Sequence, residues 1–244
     1  MSRLCVQCTW DEVPHLTQAT KDQLLEDMSP HLREARSKGI PMLGAGVIYP
    51  VPESVVLCDP FEIPDYWPRA YGMDVGWNRT AVVWGAWDQA SNVVYIYSEH
   101  YMGQAAPSVH ASAIKARGDW IPGAIDPASA GSSQIDGRAL RDEYNKEGLN
   151  LFDADNSVEA GIHAMYQRMV SGRLKVFKTC RNWTSEFRIY RRDEKGKIVK
   201  ENDHLMDASR YLLMSGMRMA RTAPHYDDDE ASSLRRTGNA STGY

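Results

Sequence analysis

The sequence predicts an α/β domain with a mixed central sheet flanked by helices, and three observations carry that expectation. Between residues 72 and 220, short apolar runs of strand length alternate with stretches whose apolar residues recur at helical spacing. The first runs form a meander: GMDVGWNRTAVVWGAW, the polar break DQASN, then the β-branched and aromatic VVYIYSEHY. The later strand runs are interleaved with helices, and strands of that kind after an antiparallel start give a mixed sheet.

The elements follow in order. Residues 1–70 read as an irregular arm. It includes a helical stretch over 18–38, with Thr20 as its cap, Leu24 and Leu25 on one face and Gly39 as its stop. In GIPMLGAGVIYPVPESVV, prolines at 41, 50 and 52 exclude a central strand, so extended chain and turns outside the core are expected. The first strand of the domain ends at Asp74 and the second spans Thr80–Trp87. PSVHASAIKAR, opened by Pro107, is a helix. WIPGAID is a short strand ended by Pro127, SSQIDGRALRDEYNKEG a helix with Gly148 beyond it, and LNLFDAD another strand. Apolar residues at 158, 162, 165, 166 and 169 mark the next helix, and LKVFKTC the next extended segment. Residues 182–200 read as a helix passing into a polar hairpin that turns at Glu194-Lys195-Gly196. Residues 203–220 form the last strong helix, and 221–244 a polar, disordered tail. The domain expected is therefore 71–220.

Composition narrows the function classes. The chain has 244 residues, 43% hydrophobic and 25% charged, with a net charge of −4, so any surface for a polyanion has to be a local patch. No apolar run approaches the ~18 residues of a membrane span. Cys5-x-x-Cys8 has no second pair at zinc-site spacing, and with Cys58 and Cys180 these cysteines read as ordinary reduced thiols. Trp77, Trp84, Trp87 and Trp120 read as core and rim residues.

Chemistry is concentrated in aspartates. Asp74 and Asp126 each close a strand. In NDHLMDASRY, Asp203, His204 and Asp207 share a face at the start of the last helix. Three acids from a first strand, a later strand and a final helix could converge at one sheet edge. Their mutual repulsion would then require a hard cation, and oxygen-only donors suit Mg²⁺ or Mn²⁺. Two such ions would support in-line phosphodiester hydrolysis. The plainer alternatives are that Asp203 is a helix cap, Asp74 and Asp126 are turn residues, and His204 faces solvent.

In their order, YGMDVGWNRTAVVWGAW, AIDPASAG and NDHLMDASRYLL resemble the C-terminal nuclease domain of the large terminase subunit of tailed bacteriophages. TWDEVPHLT and ARSKGIPMLGAGVIYPVPE resemble the segment that joins it to the packaging ATPase. The resemblance implies an RNase H-like fold and an endonuclease that cuts concatemeric viral double-stranded DNA during packaging into the procapsid. It implies Asp74, Asp126 and Asp207 as metal ligands and His204 at the site, with Asp203 as an accessory ligand, and a cofactor of Mg²⁺ or Mn²⁺, two ions. It further implies a portal protein and a small terminase subunit as partners, and a setting in the host cytoplasm, transiently at the procapsid portal and not in the mature virion. The G-x-x-x-x-G-K-[ST] loop of the motor is missing from this sequence, so the chain is expected to begin after the ATPase core, and ATP-driven translocation is not assigned to it.

For DNA contact, Arg188, Arg191, Arg192, Lys195, Lys197 and Lys200 crowd the stretch leading into the last helix, a cluster suited to phosphate binding. The bland alternative is a solvated hairpin face. Two other functions stay open: a catalytically idle DNA- or portal-docking module, and an RNase H-like nuclease acting on a junction or RNA–DNA hybrid.

Overall fold

The structure is a computed structural model and describes residues 9–26, 33, 37–38, 46–127 and 140–224. Its frame is a seven-stranded sheet of β1 (Leu57–Cys58), β2 (Arg69–Asp74), β3 (Thr80–Asp88), β4 (Val93–Met102), β5 (Gly123–Ile125), β6 (Leu151–Asp153) and β7 (Leu174–Phe177). The spatial order is β1-β7-β4-β3-β2-β5-β6. The meander β2-β3-β4 is antiparallel, and β5, β6, β7 and β1 add in parallel on its two sides. The mixed sheet expected from the sequence is the one observed. The β3–β4 turn closes because the Asp88 carboxylate accepts the Ala90 N–H at 3.0 Å and Asn92 takes the left-handed conformation that asparagine tolerates.

Helices cover both faces. On one side α3 (Pro107–Lys115) and α4 (Leu140–Lys146) bury Ile114 and Tyr144 against Tyr71, Met73, Val82 and Trp84. On the other lie α5 (Val158–Val170), α6 (Arg181–Ile189) and α7 (His204–Met214), around a larger core that includes Val83, Met165, Trp183 and Leu212. Alternation along β2 sorts its side chains between these layers: Tyr71 and Met73 face α3, whereas Ala70, Gly72 and Asp74 face α7. Gly72 sets the spacing. A methyl group there would sit 2.0 Å from the Ala208 carbonyl oxygen and 2.6 Å from the Leu212 nitrogen, so α7 lies directly on the β2 backbone. Nine of the eleven residues of α7, from Leu205 to Leu213, are buried.

Several expectations change. The helix predicted over 18–38 runs Gln18–Glu26, and most of its second half lies outside the described residues. Its start is held by Thr17, whose hydroxyl accepts the Thr20 N–H at 3.3 Å, rather than by Thr20. The arm is also not wholly outside the core. Tyr49, Val51 and Val56 are buried in the α7-side core, and a short helix, α2 (Glu53–Val56), feeds β1, which pairs with β7 at the sheet edge. The prolines do bar a central strand, but they leave these side chains free to pack. Trp84 is fully buried as expected, whereas Trp77 is 71% exposed. The tail from 225 onward, Cys5 and Cys8 lie outside the described residues. Among the described residues, no helix is long and apolar enough to cross a membrane.

Candidate active site

Two aspartates meet because two parallel strands end together. Met73 pairs with Ile125, and the Asp126 N–H continues the ladder to the Met73 carbonyl at 3.2 Å. Asp74 and Asp126 are thus next in register on adjacent strands, which run ~4.8 Å apart. The parity that turns Gly72 toward α7 turns both carboxylates the same way. Burial pushes the Asp74 carboxyl above its ordinary range. His204 opposes that shift, while the charges of Asp207 and Asp126 add to it. These four side chains therefore share one electrostatic environment.

The start of α7 delivers the rest. Asp203 occupies the N-cap position, but its side chain makes no capping hydrogen bond. The work is done by Glu186 of α6, whose Oε2 accepts the Leu205 N–H at 2.6 Å and whose Oε1 accepts the Tyr101 hydroxyl at 2.6 Å. Burial raises the Glu186 carboxyl pKa, against the pull of those two donors and His204. With Glu186 serving the helix end, Asp203 is free to turn inward, where it is 5% exposed. His204 Nδ1 lies 2.8 Å from Asp74 Oδ2. That bond is the main cause holding the imidazole pKa above its ordinary value.

Two cations compensate Asp203 and Asp207. Lys200 Nζ is 3.0 Å from Asp203 Oδ2 and 2.9 Å from Asp207 Oδ2. At Asp203 this is an ion pair without directed hydrogen-bond geometry, since Oδ2 has no hydrogen-bond partner. Arg210, 1% exposed, holds Asp207 Oδ1 at 3.0 Å and Asn156 Oδ1 at 3.1 Å. Burial works against the Lys200 ammonium, yet Asp207 and Asp203 keep its pKa above the usual lysine value. Among the described residues, no three His, Cys, Asp or Glu side chains are drawn tightly enough to form a ready cage for a metal ion. The cation lying between Asp203 and Asp207 is an ammonium.

The basic cluster divides. Arg188 is bound to Glu53, with Nη2 to Oε2 at 2.8 Å, Arg192 grips both oxygens of Glu159 at 3.0 and 2.7 Å, and Lys200 belongs to the acids. Arg191, Lys195 and Lys197 make no ion pair among the described residues, and both lysines are exposed on a hairpin that turns at Gly196 as expected. Three of the six cations expected on DNA are thus committed to carboxylates. Arg210, Glu186 and Asn156 were not singled out from the sequence. Only Arg210 carried a signal, lying three residues after Asp207 on the same helix face.

Comparisons with known proteins bear on the family and the fold. The family model of the terminase RNaseH-like domain matches residues 71–215. The terminase large subunit of Enterobacteria phage LP7 is 35% identical over 227 residues, which is 89% of this chain and 47% of that protein. The chain thus spans about half the length of the curated relatives it matches. The solved P22 large terminase nuclease domain superposes with a TM-score of 0.68 at 35% identity, covering 73% of this chain and 96% of that one. A likeness of fold alone, at TM-score 0.52 and 18% identity over 71% of this chain and 98% of that one, extends to the large terminase nuclease of thermophilic phage G20c, solved with bound magnesium. With that family model over more than half of its residues and relatives at 35% identity, this chain belongs to the terminase family with an RNase H-like domain.

Proposed function

We propose that this chain is the nuclease unit of a phage terminase large subunit, a divalent-metal-dependent endonuclease that cuts concatemeric double-stranded DNA during packaging. The observation that carries the reading is the side-by-side termination of β2 and β5 at Asp74 and Asp126, within electrostatic reach of Asp207 on α7. The donor set fits a hard cation: Asp74, Asp126, Asp207 and Asp203 offer only carboxylate oxygens. The pocket already accommodates a positive group, the Lys200 ammonium, at 2.9 and 3.0 Å from two of them. The magnesium-bound G20c nuclease supports the choice of ion.

Bound there, Mg²⁺ or Mn²⁺ would activate water and stabilise the charge developing on the phosphate. The protein's own residues set the stage. Asp74 fixes the His204 ring through Nδ1, leaving Nε2 of the raised-pKa imidazole to hand a proton to the departing oxygen or to orient the attacking water. Arg210, itself held by the Asn156 amide oxygen, locks the Asp207 carboxylate in one orientation. Lys200, 61% exposed at its side chain, can swing from the acids to a substrate phosphate. Double-stranded DNA is the substrate, and a portal protein and a small terminase subunit are the assembly partners.

Plasmid cleavage with Mn²⁺, Mg²⁺ or EDTA tests the reading. Cleavage with either ion that is lost in EDTA and in Asp126→Asn is expected. A folded wild-type protein that leaves DNA intact under every divalent ion would make the chain a docking module instead.

A further inference from the structure

The loop that carries the chain from Asp74 to β3 is held firmly yet presents an unusual surface. Trp77 O accepts the Gln104 N–H at 2.8 Å, and the Thr80 hydroxyl donates to Gly76 O at 3.3 Å. Gly103 packs so closely that a methyl group there would stand 2.0 Å from the Asn78 carbonyl oxygen. On this pinned loop the Trp77 indole remains 71% exposed. It borders a cleft of about 260 Å³ with Pro107, Leu140 and Tyr144.

Two residues further on, the Arg79 guanidinium lies 4.4 Å over the Tyr101 ring. Tyr101 is itself anchored by Glu186, the residue that caps α7. Arg188, Arg192, Lys200 and Arg210 all face carboxylates. Arg79 has no carboxylate partner among the described residues. A held, uncompensated cation and an exposed indole thus stand within five residues of Asp74.

We propose that Trp77 and Arg79 form a strand-binding platform at the cut: Arg79 takes a backbone phosphate, and Trp77 stacks on a nucleobase exposed beside the scissile bond. The inference rests on the nuclease reading above and adds the class of contact, a single or frayed strand. An indole face needs a base face, which an intact duplex hides within its own stack. Base–aromatic stacking tolerates any sequence, and a rigid loop bearing the ring loses little entropy when a base arrives. Arginine supplies the electrostatic part, which salt weakens.

The test measures binding of a fluorescein-labelled oligonucleotide, single-stranded and as duplex, in EDTA over a salt series, so that no metal or cleavage enters. Trp77→Ala is expected to weaken single-strand binding about tenfold with an unchanged salt slope, and Trp77→Phe to restore most of it. Arg79→Ala is expected to lower the slope of log affinity against log salt by about one, while Arg79→Lys keeps the wild-type slope. Melting temperatures within about two degrees of wild type would exclude a folding effect for the exposed Trp77. Wild-type affinity and slope in Trp77→Ala and Arg79→Ala would overturn the platform even if plasmid cleavage persists. Loss of plasmid cleavage in the wild type under every divalent ion would instead overturn the nuclease reading, which the EDTA binding data do not touch.

Discussion

Glu186 Oε2 meets the backbone N–H of Leu205 at 2.6 Å, tying the start of the last helix to the helix before it. The same carboxylate holds Tyr101 on the central sheet. A buried group with two donors to satisfy is hard to replace. Glu186→Ala is expected to cost about 2–3 kcal/mol, and Glu186→Gln roughly half as much, because the two donors meet different carboxylate oxygens and the amide turns one of those acceptors into an N–H donor. Urea unfolding followed by circular dichroism measures both. A Glu186→Ala variant as stable as wild type would mean that α7 is positioned by packing alone.

Two of the four aspartates of the proposed metal set, Asp207 and Asp126, differ in what their loss leaves behind. Asp207→Asn strands Arg210, which is 1% exposed, without its charge partner. A destabilisation of about 3–5 kcal/mol is expected. Asp126→Asn relieves repulsion on Asp74, so it should cost less stability than Asp207→Asn. Both should lower DNA cleavage at least a hundredfold. Equal melting temperatures for the two variants would contradict this account of Arg210.

Gly72 tests the contact that brings α7 to β2. A methyl group at 72 would meet backbone atoms, which cannot swing away as a side chain can. Gly72→Ala should destabilise by more than 3 kcal/mol or displace α7 enough to abolish cleavage. Retention of both stability and activity would show that the helix has slack that its burial does not suggest.

A histidine pair outside the site gives the fold a pH dependence. His100 Nε2 and His110 Nδ1 lie 2.9 Å apart and buried. Burial, then the facing His110 and Arg117, push His100 down to about 4, and burial lowers His110 as well. The unfolded chain takes up these protons more readily than the folded one. Stability is therefore full above the ordinary histidine value of ~6.5, falls as pH drops through it, and levels off below about 4. Roughly 2 kcal/mol should be lost between pH 7.5 and 5 through this pair. His100→Gln should flatten that part of the profile in urea midpoints taken at both pH values. An identical fall in the variant would assign the effect to carboxylates elsewhere.

The basic stretch should separate into two classes. Replacing Arg191, Lys195 and Lys197 by glutamine should weaken DNA binding and reduce its salt slope by about two to three, with little change in melting temperature. Arg188→Gln should do the reverse, since its partner Glu53 is 8% exposed and would be left unpaired. Anisotropy across a salt series, beside thermal melts, distinguishes the two. A uniform loss of DNA binding from all four substitutions would return Arg188 to the DNA-contacting set.

Much of the frame was legible in the chain order of residues. Apolar, β-branched and aromatic runs and turn chemistry marked the meander, Pro107 marked the start of α3, and aspartates at strand ends marked the candidate chemistry. Those are local signals, written within a few residues of what they specify. Tyr49, Val51 and Val56 read as arm because the prolines around them do bar a central strand, while their burial depends on α5, α6 and α7, which lie more than a hundred residues away. Charge partners were equally hidden. Lys200, Arg188 and Arg192 look alike in a basic run, and only the fold sorts them, by turning Lys200 onto nearby Asp207 and bringing Glu53 and Glu159 from distant segments to the two arginines.

The sequence by itself determined the alternation of strands and helices and the identity of the acids, because backbone periodicity and chemical type are properties of neighbouring residues. Tertiary structure decided which acid faces which cation, that Glu186 caps α7 in place of Asp203, and that Trp77 stays in water. Those outcomes depend on close approach across the fold, such as α7 lying on the bare backbone of Gly72, and distance in space is not written in distance along the chain.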